Sequence, residues 1–167
     1  MNNRYAGIIK NDVVNGEGVC VSFWTQGCPF HCQGCHNPQT WDPQGGIPLP
    51  ADYKEQISSA LVDNGVQRNL SILGGEPLME QNQKIVNDLL CYIRPRFPHI
   101  KIYLWTGHTL PDLLSQSNPV VNSILDKIDF LIDGPFELEN RDLTLKLRGS
   151  INQNIHQKID NKWIKIS

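Results

Sequence analysis

Residues 69–97 read NLSILGGEPLMEQNQKIVNDLLCYIRPRF. The run Asn69 to Leu73 is short, apolar and strand-like. It ends at Gly74-Gly75-Glu76-Pro77, where two glycines let a ligand approach the backbone closely and the proline fixes the exit. From Gln81 to Phe97, Ile85, Leu89, Leu90 and Ile93 fall on one side at helical spacing, which predicts a long amphipathic helix. Ile100 to Trp105 (IKIYLW) is strand-like again and is closed by Thr106-Gly107. Strand, helix, strand in this order implies parallel strands joined by a right-handed crossover.

The same alternation extends in both directions. Upstream, Val19 to Thr25 (VCVSFWT) reads as a strand, preceded by a turn signal at Asn15-Gly16. The stretch from Pro38 to Pro50 holds four prolines and two glycines and reads as a loop. Asp52 is placed to cap a helix running to about Asp63, with Ile57, Ala60 and Leu61 on its apolar face. Downstream, helical pieces at Leu110–Ser115 and Val120–Asp126 precede the strand Ile128 to Ile132, which ends at Asp133-Gly134-Pro135. The cysteine loop after Val19–Thr25, Gly-Gly-Glu-Pro, Trp-Thr-Gly and Asp-Gly-Pro each follow a strand's C-terminal end. Those ends converge on one rim in parallel α/β folds. The strand–helix units are too few for eight-fold closure. The expected fold is therefore α/β, a partial, open β/α barrel of parallel strands in a single domain, 1–167.

Composition narrows the function classes. The 167 residues are 40% hydrophobic and 19% charged with a formal net charge of -2, values typical of a globular domain. No long basic run suggests nucleic acid as a partner, and no apolar stretch approaches the roughly 18 residues of a membrane helix. Met1-Asn2-Asn3-Arg4-Tyr5 lacks the apolar core of a signal peptide. A cytoplasmic location is expected. Three of five cysteines fall within eight positions, which suits metal ligation better than a disulfide framework. Cys20, in a strand-like run, and Cys91, in a helix-like run, are expected to be buried small hydrophobes.

The clustered thiols lie in Cys28-Pro29-Phe30-His31-Cys32-Gln33-Gly34-Cys35-His36-Asn37. Spaced C-x3-C-x2-C, they fit one face of a small cluster but fall one short of the four thiolates of an ordinary 4Fe–4S centre. A cluster with three ligands keeps one iron open to a substrate or cofactor. Zinc held by the three cysteines with His31 or His36 also satisfies the donor set, and describes a zinc-stabilised binding module. A plain electron carrier would take its fourth ligand from Cys20 or Cys91. In the second motif, Glu76 offers a carboxylate suited to an ammonium group, although a Gly-Gly turn before a helix is also a common structural device.

Together, C-x3-C-x2-C and a G-G-E-P about forty residues later resemble the radical S-adenosylmethionine enzymes. That resemblance implies a 4Fe–4S cluster on Cys28, Cys32 and Cys35, with S-adenosylmethionine on the fourth iron and a fold of the partial-barrel type of that superfamily. It further implies that Gly74, Gly75 and Glu76 contact the methionine moiety, and that Gln33, Gly34 and His36 lie near the adenine. An aromatic residue often precedes the third cysteine in that family. Here it is Gly34, so only backbone contacts are available there. Asn15-Gly16-Glu17-Gly18, Cys35-His36-Asn37, Thr40-Trp41, Trp105-Thr106-Gly107, Ile132-Asp133-Gly134, Arg148-Gly149-Ser150 and Asn152-Gln153 narrow the resemblance to activases of glycyl-radical enzymes. They resemble most those serving anaerobic ribonucleoside-triphosphate reductase, with pyruvate formate-lyase activation as an alternative. The resemblance adds Thr106, Ser150 and Asn152 as cofactor contacts and a low-potential electron donor such as flavodoxin. The protein substrate would be a glycine loop of the reductase, docking on Pro38–Pro50 and the tail after Ser150. No general acid or base is required, in keeping with the absence of an obvious nucleophile–base pair.

Overall fold

The structure, a computed structural model, describes residues 3–167; Met1 and Asn2 of the N-terminal stretch read above lie outside the described residues. Eight strands form one mixed sheet: β1 (Arg4–Asp12), β2 (Cys20–Thr25), β3 (Ile47–Pro48), β4 (Asn69–Gly74), β5 (Ile102–Trp105), β6 (Phe130–Asp133), β7 (Asn154–Ile159) and β8 (Lys162–Lys165). Their order is β3-β1-β2-β4-β5-β6-β7-β8. The four central strands, β2, β4, β5 and β6, are parallel. The flanking pairs on both sides are antiparallel, so the expectation of parallel strands describes the centre of the sheet only. Among the described residues there are four α-helices: α1 (Tyr53–Leu61), α2 (Glu80–Arg96), α3 (Leu110–Ser115) and α4 (Pro119–Lys127).

The strand order decides where the helices go. From β2 through β4 and β5 to β6 each step runs in the same direction, with no reversal. Right-handed crossovers then place every connecting helix on the same face of the sheet. Ile57 and Leu61 of α1, Leu89, Leu90 and Ile93 of α2, and Ile124 of α4 accordingly join one buried cluster with Val21, Phe23, Leu70, Ile72, Ile102 and Leu104. Burial of each such side chain is worth about 1.5–3 kcal/mol. The opposite face carries Ser22, Ser71, Tyr103 and Phe130, which lie side by side in register. A smaller cluster of Tyr103, Phe130, Ile132 and Ile155 sits there, and the rest of that face is free to line a site.

Local chemistry sets most boundaries. Asn118 Oδ1 accepts hydrogen bonds from the Val120 and Val121 amides, and Pro119 opens α4. Asp52 occupies the start of α1 but does not cap it with its carboxylate, which accepts the Gln56 side-chain amide at 2.9 Å instead. β5 begins at Ile102 rather than Ile100, and side chains satisfy the N–H groups around its start. Asn69 Oδ1 accepts from Lys101 N, and Asp129 Oδ2 from Ile102 N. Cys20 is buried as expected, whereas Cys91 is exposed on the solvent side of α2. Among the described residues no helix is long and apolar enough to cross a membrane.

Candidate functional site

Four loops leave the adjacent C-terminal ends of β2, β4, β5 and β6, and backbone hydrogen bonds tie the first two together. After β2 the chain enters the cysteine loop and returns through a 3-10 turn at Pro38–Thr40. Gly27 N donates to Thr40 O (2.7 Å) and Cys28 N to Trp41 O (3.1 Å), closing the loop at its base. The buried Gln26 side chain secures the return by donating to Gln39 O and Asp42 O. Gly75 N donates to Thr25 O (2.9 Å) and Glu76 N to Gly27 O (2.8 Å), which docks the Gly-Gly-Glu segment on the cysteine loop. A Cβ on Gly75 would lie 2.4 Å from Gly27 O, and one on Gly74 would lie 2.5 Å from Thr25 N and O. The side-chain directions of both glycines therefore face protein backbone. Their smallness is required by the fold itself, beyond any ligand.

Glu76 is the knot of this rim. Its carboxylate is buried and accepts Gly107 N at 2.7 Å, Thr106 Oγ1 at 2.8 Å and Leu78 N at 2.9 Å. Burial is the largest influence and pushes its pKa up to about 7, against the three donors that pull it down. The expected open carboxylate is thus turned inward to join the β4 and β5 loops. Thr106 serves the same joint.

Cys28, Cys32 and Cys35 are all free thiols, half-buried on one wall of a cavity of about 1250 Å³. They are close enough to influence one another: Cys32 raises the Cys28 pKa, and Cys35 that of Cys32. In both cases burial is the larger cause, with the Glu76 charge acting in the same direction. Burial thus favours the protonated thiols of Cys28 and Cys32, whose protons a metal centre would displace. The Asn37 backbone N–H donates to Cys35 Sγ (3.4 Å). Three free, neighbouring thiols with an amide directed at one sulfur fit the donor set of a 4Fe–4S cluster. Among the described residues no three His, Cys, Asp or Glu side chains converge as ligands of a single ion. Both loop histidines have ring partners: His31 stacks on Trp41 at 4.6 Å, and His36 lies tilted 5.9 Å from Phe136.

The cavity reaches far beyond the cysteines. Gly74, Gly75, Glu76, Thr106 and His36 line it near the thiols, and Trp24, Tyr103, Trp105 and Phe130 form its sheet wall. Val14 to Glu17 close the far end, where Ser71 Oγ donates to Asn15 O and Asn69 Nδ2 to Glu17 O. The strap Asp142–Arg148 crosses the opening, held by Trp105 Nε1 donating to Leu147 O at 2.6 Å. Neither the far end nor the strap was anticipated as part of a site. The alternation of Ser22 and Trp24 against Val21 and Phe23 was the available signal for a second, functional sheet face.

Four expected contacts, Gln33, Gly34, Ser150 and Asn152, lie off the cavity wall. A Cβ at Gly34 would meet Leu138 at 2.8 Å, so the space beside the third cysteine is filled by a side chain from another loop. Ser150 is fully buried and its Oγ accepts Glu137 N (3.2 Å). Asn152 donates to Pro135 O (2.7 Å). Both brace the Asp-Gly-Pro loop from behind. Asp133 is buried as well, accepting Leu110 N at 2.7 Å with His156 Nε2 3.0 Å away.

A family profile described as a 4Fe-4S single cluster domain matches residues 14–156. That span starts at the closed end of the cavity and includes every loop of the rim. Over 155 residues the chain is 34% identical to the anaerobic ribonucleoside-triphosphate reductase-activating protein of Pasteurella multocida (strain Pm70), covering 92% of this chain and 97% of that protein. It is 36% identical over 146 residues to the protein of the same name from Escherichia coli (strain K12), covering 87% and 92%. The counterpart from Enterobacteria phage T4 is 32% identical over 160 residues, covering 96% and 97%. With three free thiols on a rim that the matched domain spans, and similarity over nearly the full length of these relatives, the chain belongs to the family of anaerobic ribonucleoside-triphosphate reductase-activating proteins, which it joins through its 4Fe-4S single cluster domain.

Proposed function

We propose that this protein is a radical S-adenosylmethionine activase of anaerobic ribonucleoside-triphosphate reductase, acting in the cytoplasm on a partial, open β/α barrel of that superfamily's type. The observation that carries the reading is the grouping of Cys28, Cys32 and Cys35 on one wall of a large cavity, beside Gly74-Gly75-Glu76. Three cysteines hold a 4Fe–4S cluster and leave its fourth iron for S-adenosylmethionine. When bound on Cys28, Cys32 and Cys35, the cluster would supply one electron for cleavage of S-adenosylmethionine to methionine and a 5′-deoxyadenosyl radical, which would take a hydrogen atom from a glycine of the reductase and leave a glycyl radical there.

The chain's own residues do the holding. The loop base at Gly27 and Cys28 fixes the cysteines relative to β2. Glu76, through Thr106 and Gly107, keeps the neighbouring rim loops in place. Trp24, Trp105 and Phe130 give the cavity an apolar wall, the kind of surface suited to handling a reactive radical away from water. A low-potential donor such as flavodoxin supplies the electron.

The test is anaerobic. The protein is reconstituted with iron and sulfide and reduced, and its electron paramagnetic resonance spectrum is recorded with and without S-adenosylmethionine. A reduced-cluster signal that changes on addition, with 5′-deoxyadenosine formed and a glycyl radical on added reductase, is the expected result. A cluster indifferent to S-adenosylmethionine, or a zinc-loaded, iron-free protein, refutes the proposal.

A further inference from the structure

The charge of this chain is divided unevenly along its length. Residues 141–167 carry Arg141, Lys146, Arg148, Lys158, Lys162 and Lys165 against only Asp142 and Asp160, a net +4, in a chain of net -2 overall. Among the described residues, the ion pairs within 4.0 Å involve Lys84, Arg94, Lys101 and His156, so none of these six cations has a carboxylate partner. Arg148 donates only to neutral groups, Gln153 O (2.6 Å), Ser167 Oγ (3.0 Å) and Ile151 O (3.5 Å).

This segment builds the strap and the β7–β8 hairpin, and β8 ends the sheet with one side unpaired. The register Phe130–Gln157–Ile164 puts Ile164 on the cavity face of the sheet. Ile159 and its partner Lys162 share that face. Ile159, Ile164 and Ile166 are 42%, 44% and 50% exposed, and Leu143 of the strap is 75% exposed. Ile166 and Ser167, which continue β8, themselves line the cavity. An exposed apolar stripe therefore runs along a free strand edge into the site, with unpaired Lys162 on its own face and unpaired Lys165 on the opposite face of the same edge. Edge lysines commonly guard against self-pairing, but that role accounts for neither the apolar stripe nor its continuity with the cavity.

We infer that the free edge of β8 and the cavity face of the hairpin receive an extended, acidic segment of the reductase, which adds to the sheet and runs from there into the cavity. The inference rests on the function proposed above. Strand addition supplies backbone hydrogen bonds, alternate side chains pack on Ile164 and Ile166, and the lysines and arginines attract the segment's carboxylates.

The test uses the cluster-loaded protein and intact reductase. Affinity is measured across a salt series for the unaltered chain, for the double variant Lys162→Glu with Lys165→Glu, and for Ile164→Thr, an exchange that any exposed strand accommodates. Hydrogen–deuterium exchange follows the amides of β8. The expected result is binding about tenfold weaker for the double variant at low salt with a flatter salt dependence, and about threefold weaker for Ile164→Thr. The β8 amides gain protection when reductase is added, and partner-free cleavage of S-adenosylmethionine with a chemical reductant is unchanged in both variants. Unchanged affinity with unprotected β8 amides overturns the docking surface and leaves the proposed function standing. Slowed reduction by the electron-donor protein with unchanged reductase affinity assigns the surface to the donor and equally overturns it. Failure of the unaltered chain to bind reductase or cleave S-adenosylmethionine overturns both.

Discussion

Replacing Glu76 by Gln isolates the charge at the centre of the rim. The carboxylate accepts three donors, from Gly107 N, Thr106 Oγ1 and Leu78 N, while buried from water. Burial prevails and raises its pKa from 4.5 to about 7. The sign follows from linkage. Below the unfolded pKa, Glu76 is protonated in both folded and unfolded chains, and its burial carries no charge penalty. Above that pKa the unfolded chain ionises while the buried group keeps its proton, so stability is progressively lost relative to a chain that cannot ionise there, and the loss is complete once pH has risen through the folded pKa. The step from 4.5 to about 7 corresponds to about 3 kcal/mol between pH ~4.5 and pH ~8. The glutamine is nearly isosteric but presents an N–H2 toward at least one existing donor, which costs about 1–3 kcal/mol at every pH. Urea unfolding of both full-length chains, thiols kept reduced, separates the two effects. The constant offset reports the lost acceptor, and the change of the difference with pH reports the charge, since every other titrating group cancels. The expected outcome is that the unaltered chain loses about 3 kcal/mol relative to Glu76→Gln on going from acid to mildly alkaline pH. A difference independent of pH would mean that the three donors balance burial, and one in which the unaltered chain gains that they outweigh it; in either case the reasoning fails.

Substituting Ala for any one of Cys28, Cys32 or Cys35 is expected to abolish the visible absorbance and iron content of the reconstituted cluster. The same change at Cys20 or Cys91 leaves both intact, and cluster loss on altering either would move the fourth ligand there. Gly75→Ala forces a methyl within 2.4 Å of Gly27 O and should destabilise the fold by at least about 3 kcal/mol in denaturant unfolding. An alanine tolerated at that position would contradict the docking of the two loops. Trp105→Phe removes the indole bond to Leu147 O. It should cost about 1 kcal/mol and raise amide exchange across Asp142–Arg148, an effect absent if the strap is held by packing alone.

The central units were legible because their physics is local. In α2, apolar residues at helical spacing became Ile85, Leu89, Leu90 and Ile93 of the buried cluster. The β4 pattern ended at the glycines that its loop requires. The flanking strands were missed for an equally physical reason. β1 has a glycine and a register shift in its middle, so its alternation is broken. β7 and β8 are half polar, and their turn is Asp160-Asn161 with both residues at positive φ, a two-residue hairpin signal that stands without the usual glycine. Cys91 read as buried because free cysteine usually is. One residue beyond Leu89 and Leu90, however, the helix has already turned its side chain to solvent.

Cys28, Cys32 and Cys35 and the strand–loop–helix order were determined by the sequence alone, because thiol spacing, glycine turns and apolar periodicity are written in neighbouring residues. Which face of the sheet stayed open was decided only by the tertiary structure, since strand order, not any single strand, directs every right-handed crossover to one side. The same holds for Glu76. Its type marks it as a carboxylate at a rim, but its orientation depends on Thr106 and Gly107, thirty and thirty-one residues away, and only the packed loops turn it from a ligand-facing group into the bond that holds the rim together.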